Sequence, residues 1–274
     1  MIILETFIFT ISSIILIFSF NGLGSIININ RSKFFLFENI FLGIILSSLC
    51  STFIHLFYSI NFWFSLIIFL TGLLISIKKK LFKMKIITKK NIQFFIIFLL
   101  FTPLFITQKY HEDFGYYHLP HIINFISEKI IFGLSNVNTA HALSSISDYI
   151  SASFWLDGNY ILLHYVNLIF IGLFYFVMYK YLFGDNNYFK FSAFGVLIFS
   201  FLDNFGVNSG RNGFFAIQGI GKPDIIFGVS FFFCCIYIHC FLRKKISNSE
   251  ILFTYILTIF SFQLKQFGIV SVLH

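Results

Sequence analysis

The feature that most constrains this chain is a succession of continuous apolar runs, each close to the roughly 20 residues a helix needs to cross the hydrocarbon core of a bilayer. Windows of about 19 residues place eight such runs near 2–20, 38–57, 58–77, 91–107, 159–178, 189–203, 225–242 and 250–268. In lipid every backbone N–H and C=O must find a partner inside the protein, so only helices and closed barrels can span. Runs that are apolar throughout, rather than alternating, select helices. The expected fold is therefore all-α: a polytopic transmembrane helical bundle of about eight spans. The second and third runs are separated only around Tyr58 to Asn61 and predict a tight helical hairpin. Met1 to Phe20 lacks a basic leader, carries Glu5 and is followed by no small-residue cleavage site, so it reads as a retained helix rather than a signal peptide.

Composition agrees. Hydrophobic residues make up 58% of the chain and charged ones 11%, against about 25% charged in soluble domains, and the mean hydropathy is +0.87. The 44 Phe reflect a biased composition and say little one by one. Cys50, Cys234, Cys235 and Cys240 all fall inside apolar runs without pairing or zinc-ligand spacing, and read as buried or lipid-facing thiols.

The formal charge of +8 does not point to nucleic acid, because the basic residues lie between apolar runs, where the positive-inside rule accounts for them. Lys78, Lys79, Lys80, Lys83, Lys85, Lys89 and Lys90 mark one loop as cytoplasmic. Alternating from there puts Arg31, Lys33, Lys180, Lys190, Arg243, Lys244 and Lys245 on the same side, which collects 14 of the 19 Lys and Arg. The N-terminus is then outside, as are a long loop at 108–158 and a shorter one at 204–224. Residues 1–90 form an N-terminal set of helices with the basic loop, and residues 91–274 a second membrane region carrying the long outer loop.

A loop of that length is usually functional or disordered, and this one is too rich in aromatic and branched residues for disorder. Its charge is −3: Lys109 and Lys129 against Glu112, Asp113, Glu128, Asp148 and Asp157. From Pro120, a favoured first-turn residue, Ile122, Ile123, Ile126 and Ile130 recur at helical spacing opposite His121, Asn124 and Glu128. After Thr139 a second stripe of Leu143, Ile146, Ile150 and Phe154 opposes Ser144, Ser147, Asp148 and Ser151. Two interfacial amphipathic helices are the expectation.

Ionisable groups are densest from Lys109 to His121. The adjacent carboxylates of Glu112 and Asp113 can serve as a general base, bind a divalent cation, or both. The plainer alternative makes them a solvated helix end, with Asp113 capping the next turn. His118 and His121 are three apart, with His111 and His141 in the same loop, a set of imidazoles able to ligate a metal but without a compact ligand pattern. Asn208-Ser-Gly-Arg-Asn-Gly213 and Gly219-Ile-Gly-Lys-Pro-Asp224 are glycine-rich and polar, yet lack the spacing and Gly-Lys-Ser/Thr ending of a P-loop. They read as a phosphate-wrapping loop or as an external turn whose Pro223 and Asp224 start a helix. Lys265 falls deep in the last run, where a charge is costly unless it meets a cavity, a partner or the interface. Asp157 and Asp203 mark helix ends.

The run Asp113-Phe-Gly-Tyr-Tyr-His-Leu-Pro120, in the first long external loop, resembles the acidic motif followed by Tyr-His-Leu-Pro in bacterial members of the GT-C superfamily of integral membrane glycosyltransferases. The likeness extends over roughly residues 91–268, its sharp part being 112–121. It implies a polytopic enzyme of the bacterial cell (inner) membrane. Such an enzyme transfers a sugar from a polyprenyl-phosphate carrier to an acceptor at the outer face, with two interfacial helices in the loop. Asp113 takes the catalytic position by that match and Glu112 completes the acidic pair, with a divalent cation at Glu112 and Asp113 as a further implication. Tyr117 and His118 of the motif are expected to contact substrate, and Lys109, Arg211, Lys222 and Lys265 to hold the anionic phosphate. Three spans precede the motif-bearing loop, where many members have one, and the family commonly has more helices after it. The chain is accordingly expected to be incomplete at its C-terminus. The competing class is a transporter or flippase, or a non-catalytic subunit of cell-surface glycan assembly. Transporters tend to show inverted repeats and broken spans, and no repeat is visible.

Overall fold

The computed structural model describes residues 2–27, 35–81, 89–106, 110, 113–137, 144–155, 160–184, 189–204, 221–243 and 247–265, and no strand occurs among them. The helices are α1 (Ile2–Gly24), α2 (Phe35–His55), α3 (Phe62–Lys78), α4 (Lys89–Ile106), α5 (Leu119–Ser127), α6 (Leu134–Val137), α7 (Ile146–Phe154), α8 (His164–Phe183), α9 (Lys190–Asn204), α10 (Asp224–Leu242) and α11 (Asn248–Leu264). A π-helical turn, Phe114–His118, leads directly into α5. Each apolar run of the sequence coincides with one of the longer helices. Among the described residues, four stretches are long and apolar enough to cross a membrane: Thr6–Ile27, Leu36–His55, His164–Phe183 and Asp224–Leu242. The surface agrees with an integral membrane protein: Leu74 and Leu100 are 65% and 67% exposed in mid-helix, and α3 turns Trp63, Ile67, Leu70 and Leu74 outward. A soluble protein rarely leaves such a contiguous apolar face uncovered.

The hairpin expected between the second and third runs takes another form. Asn61 caps α3, its side chain accepting from Phe64 N at 3.0 Å, so the short turn is there. But α2 and α3 each pack along α1 rather than along each other. The reason is steric: a Cβ on Gly22 would stand 1.9 Å from the carbonyl oxygen of Gly72, so bare backbone lets α1 and α3 touch as larger residues could not. Ser19 Oγ adds a 2.7 Å hydrogen bond to the Phe69 carbonyl across the same contact.

Long-range contacts define two ends. At the lysine-rich end, Lys79 Nζ donates to Ser25 O at 2.5 Å and Tyr237 OH donates to the buried Glu38 carboxylate at 2.6 Å. The second bond fixes α10 antiparallel to α2. At the opposite, loop end, Ile60 N donates to Phe125 O and Ile130 N to His55 O, tying the α2–α3 turn to α5.

Both loop helices exist, but their faces differ from the expected ones. In α5 the buried side is His121, Ile122 and Phe125, while Ile123 is exposed. The polar side of α7 does not face solvent. Ser147, Asp148, Ser151 and Ser153 are buried along with Ile146, Ile150 and Phe154. Ser153 Oγ meets Ser51 Oγ at 2.8 Å, and Phe154 reaches Phe20 and Phe69. An amphipathic stripe reports which side is polar. It does not report that a neighbouring helix supplies hydrogen-bond partners to that side.

Candidate functional site

Asp113 precedes the π-helical turn but makes no capping hydrogen bond to it. Its carboxylate instead meets Lys222 Nζ at 2.5 Å, with the Asp113 side chain 44% and Lys222 19% exposed. Gly221 explains how the two loops come together. Its φ of +84° suits glycine, and a Cβ there would lie 2.0 Å from the ring of Phe114, the residue after Asp113. The 221–224 loop therefore closes over Phe114 and sets Lys222 against Asp113.

Two residues on, Asp224 opens α10, where a negative charge suits the helix N-terminus. It pairs with Lys265. Lys265 is not deep in a span: α11 ends at Leu264, and Lys265 is its C-cap, a third exposed. Mean hydropathy over 250–268 conceals that boundary, because one lysine weighs little among apolar neighbours. The outcome is a run of alternating charge, Asp113 with Lys222 and Asp224 with Lys265. Tyr117, in the π-helical turn that follows Asp113, is exposed. Lys109, His111, Glu112, His141, Asp157, Arg211 and the glycine-rich stretch at 208–213 lie outside the described residues. Asp203 falls in the last turn of α9, as expected.

His118 joins a second cluster. Its Nδ1 lies 2.8 Å from Asp148 Oδ1, and His121 Nδ1 lies 3.3 Å from Asp148 Oδ2. The local sequence explains the convergence. The π turn and the first turn of α5 place His118 and His121 on one side. Ser145 caps α7 by accepting from Ser147 N at 3.3 Å, and its own N–H donates to Asp148 Oδ2 at 2.9 Å. Burial pushes the Asp148 carboxyl up, but the hydrogen bonds from His118, His121 and the Ser145 N–H outweigh it and hold the group below the ordinary carboxylate range. An ionised carboxylate only accepts, so each Nδ1 presents an N–H to it.

Next to Asp148, Tyr149 is pushed up to about 12 by burial and then by the Asp148 charge. Its hydroxyl lies 3.0 Å from His55 Nδ1, and His55 Nε2 lies 3.1 Å from the Glu128 carbonyl. A carbonyl cannot donate, so His55 Nε2 carries the proton and Nδ1 accepts from Tyr149. In the sequence Asp148 is only a loop charge on a polar stripe, His121 lies opposite the apolar stripe and among the loop imidazoles, and nothing marks His55 or Tyr149. His118 and His121 at a three-residue spacing were the one visible signal. A cavity of about 510 Å³ among Tyr181, Phe189, Val196, Phe232, Cys235 and His239 lies elsewhere, toward the lysine-rich end. No protein-family model, curated protein or solved structure matches the chain.

Proposed function

We propose that this protein is a GT-C-type membrane glycosyltransferase, built on eight spans with its N-terminus and the 108–158 loop outside. It moves a sugar from a polyprenyl-phosphate carrier to an acceptor hydroxyl at the outer face of the bacterial cell membrane. The observation that carries this reading is the half-exposed Asp113 carboxylate beside the Lys222 ammonium at 2.5 Å, with Lys265 held nearby through Asp224. A base and the cations for an anionic leaving group are what such a transfer requires.

In the reaction, the acceptor oxygen attacks the anomeric carbon while Asp113 takes the hydroxyl proton. The bond from that carbon to the phosphate oxygen breaks, and the phosphate leaves with the electron pair. Exposed ion pairs hold only about 0–1 kcal/mol, so an entering phosphate, with more charge and more acceptors than a carboxylate, draws Lys222 away from Asp113. Donor binding thereby frees the base. Lys265 exchanges Asp224 for phosphate in the same way, and Tyr117 flanks the donor. A divalent cation held by Glu112 and Asp113 would add positive charge for the leaving phosphate, and Glu112 lies outside the described residues. No step runs through one.

A transporter would carry charge near the middle of a span, and Lys265 is instead the C-cap of α11. The test is transfer in proteoliposomes with a panel of polyprenyl-phosphate monosaccharides. Asp113→Asn should lower turnover at least ~100-fold, as loss of a general base does. Undiminished transfer by Asp113→Asn removes the base, and movement of lipid-linked sugar without covalent transfer favours a flippase.

A further inference from the structure

The His118, His121 and Asp148 cluster has its own chemistry. Its three donor atoms come from three local structures: the end of the π turn, the first turn of α5 and the first turn of α7. They lie within 4.8 Å of one another. Two imidazole nitrogens and one carboxylate converging in this way form a donor set that suits zinc and its borderline divalent neighbours, with bonds of about 2.0–2.2 Å. We infer that His118 Nδ1, His121 Nδ1 and Asp148 form a divalent transition-metal site, zinc in class, that fastens the Tyr-His-Leu-Pro turn to α7.

Burial favours an ion here. The Asp148 side chain is 2% and His121 1% exposed, and His118 alone keeps some surface, at 13%. A carboxylate removed from water is costly unless its charge is matched. Two imidazole N–H groups and one amide N–H match it in part, whereas a divalent cation matches it fully. The Ser145 N–H on Oδ2 acts as an outer partner that orients the ligating carboxylate. Three protein ligands leave coordination open to water, on the His118 side. As the metal enters, the proton on each Nδ1 must leave that atom.

The inference does not rest on the transfer reading, because metal is measured without any sugar donor. Tag-free protein in detergent is stripped with chelator, dialysed against zinc chloride and assayed for bound metal, with cobalt(II) absorption reporting ligand type. The expected result is one equivalent of zinc in wild type and a cobalt spectrum of nitrogen and oxygen ligation. Affinity should fall by more than about tenfold in His118→Ala and in Asp148→Asn. Zinc should also raise the melting temperature of wild type but not of His118→Ala. Should Asp148→Asn fail to fold, the more peripheral His118→Ala still decides. Equal zinc binding by wild type and a folded His118→Ala/His121→Ala variant, or none by wild type, overturns the site.

Discussion

Asp113 and Asp148 stand at the same end of the bundle in opposite surroundings. Asp113 is half exposed, and its carboxylate meets a long, flexible lysine from a distant loop. Asp148 is buried, and two imidazoles and a backbone amide hold it in place. The contrast separates two uses of a carboxylate. A solvated ion pair is weak and exchangeable, which suits a group that must release its partner when substrate arrives. A buried, multiply bonded charge is hard to remove or replace, which suits a group that joins elements or holds an ion.

The strongest break of this comparison is Asp148→Ala. It leaves His118 and His121 facing a cavity without their acceptor, and should destabilise the protein by about 3–5 kcal/mol, seen as a lower melting temperature in detergent. Asp113→Asn should do the reverse, abolishing transfer while shifting stability by less than about 0.5 kcal/mol, as surface changes do. A melting shift as large as that of Asp148→Ala would erase the distinction between the two aspartates.

Gly221→Ala comes next. The added methyl meets the Phe114 ring and demands a left-handed backbone from a non-glycine residue, at a cost of about 1–2 kcal/mol. Displacing Lys222 should weaken donor binding, so KM should rise more than kcat falls. Acid sharpens the comparison further. The Asp148 carboxyl titrates lower folded than unfolded. Its stabilising contribution is therefore full above its ordinary pKa of 3.8 and is lost as pH falls through the lower, folded value. Melting temperature against pH should drop in that acid range in wild type and less steeply in Asp148→Asn. The smallest expected effect is that of Tyr149→Phe, which removes one hydrogen bond to His55 and should cost about 1 kcal/mol in thermal unfolding.

How far the sequence reached depends on whether the signal is local. Apolar runs, the Asn61 turn and Pro120 in the first turn of α5 rest on neighbouring residues, and the helices appear where those residues place them. Asp113 and Lys222 were both singled out, one by motif and one by charge and glycine content. Their contact spans more than a hundred positions, and no periodicity encodes it. Lys265 was misplaced because an apolar average does not mark where α11 stops. Asp148 was passed over because a capped amphipathic helix looks the same whether its polar side meets water or two histidines.

What the sequence by itself determined is that this chain is helical and apolar enough for a bilayer, with basic and acidic loops segregated, because bilayer thickness and backbone hydrogen bonding act on each segment separately. Only the tertiary structure decided which polar groups meet. It closed the Gly221 loop over Phe114, drew Lys265 to Asp224, and sank α7 against α2 so that Asp148 faces His118 and His121. Those pairings depend on the packing of helices far apart in the chain, where the cost of burying a polar group is settled by the partner that packing happens to provide.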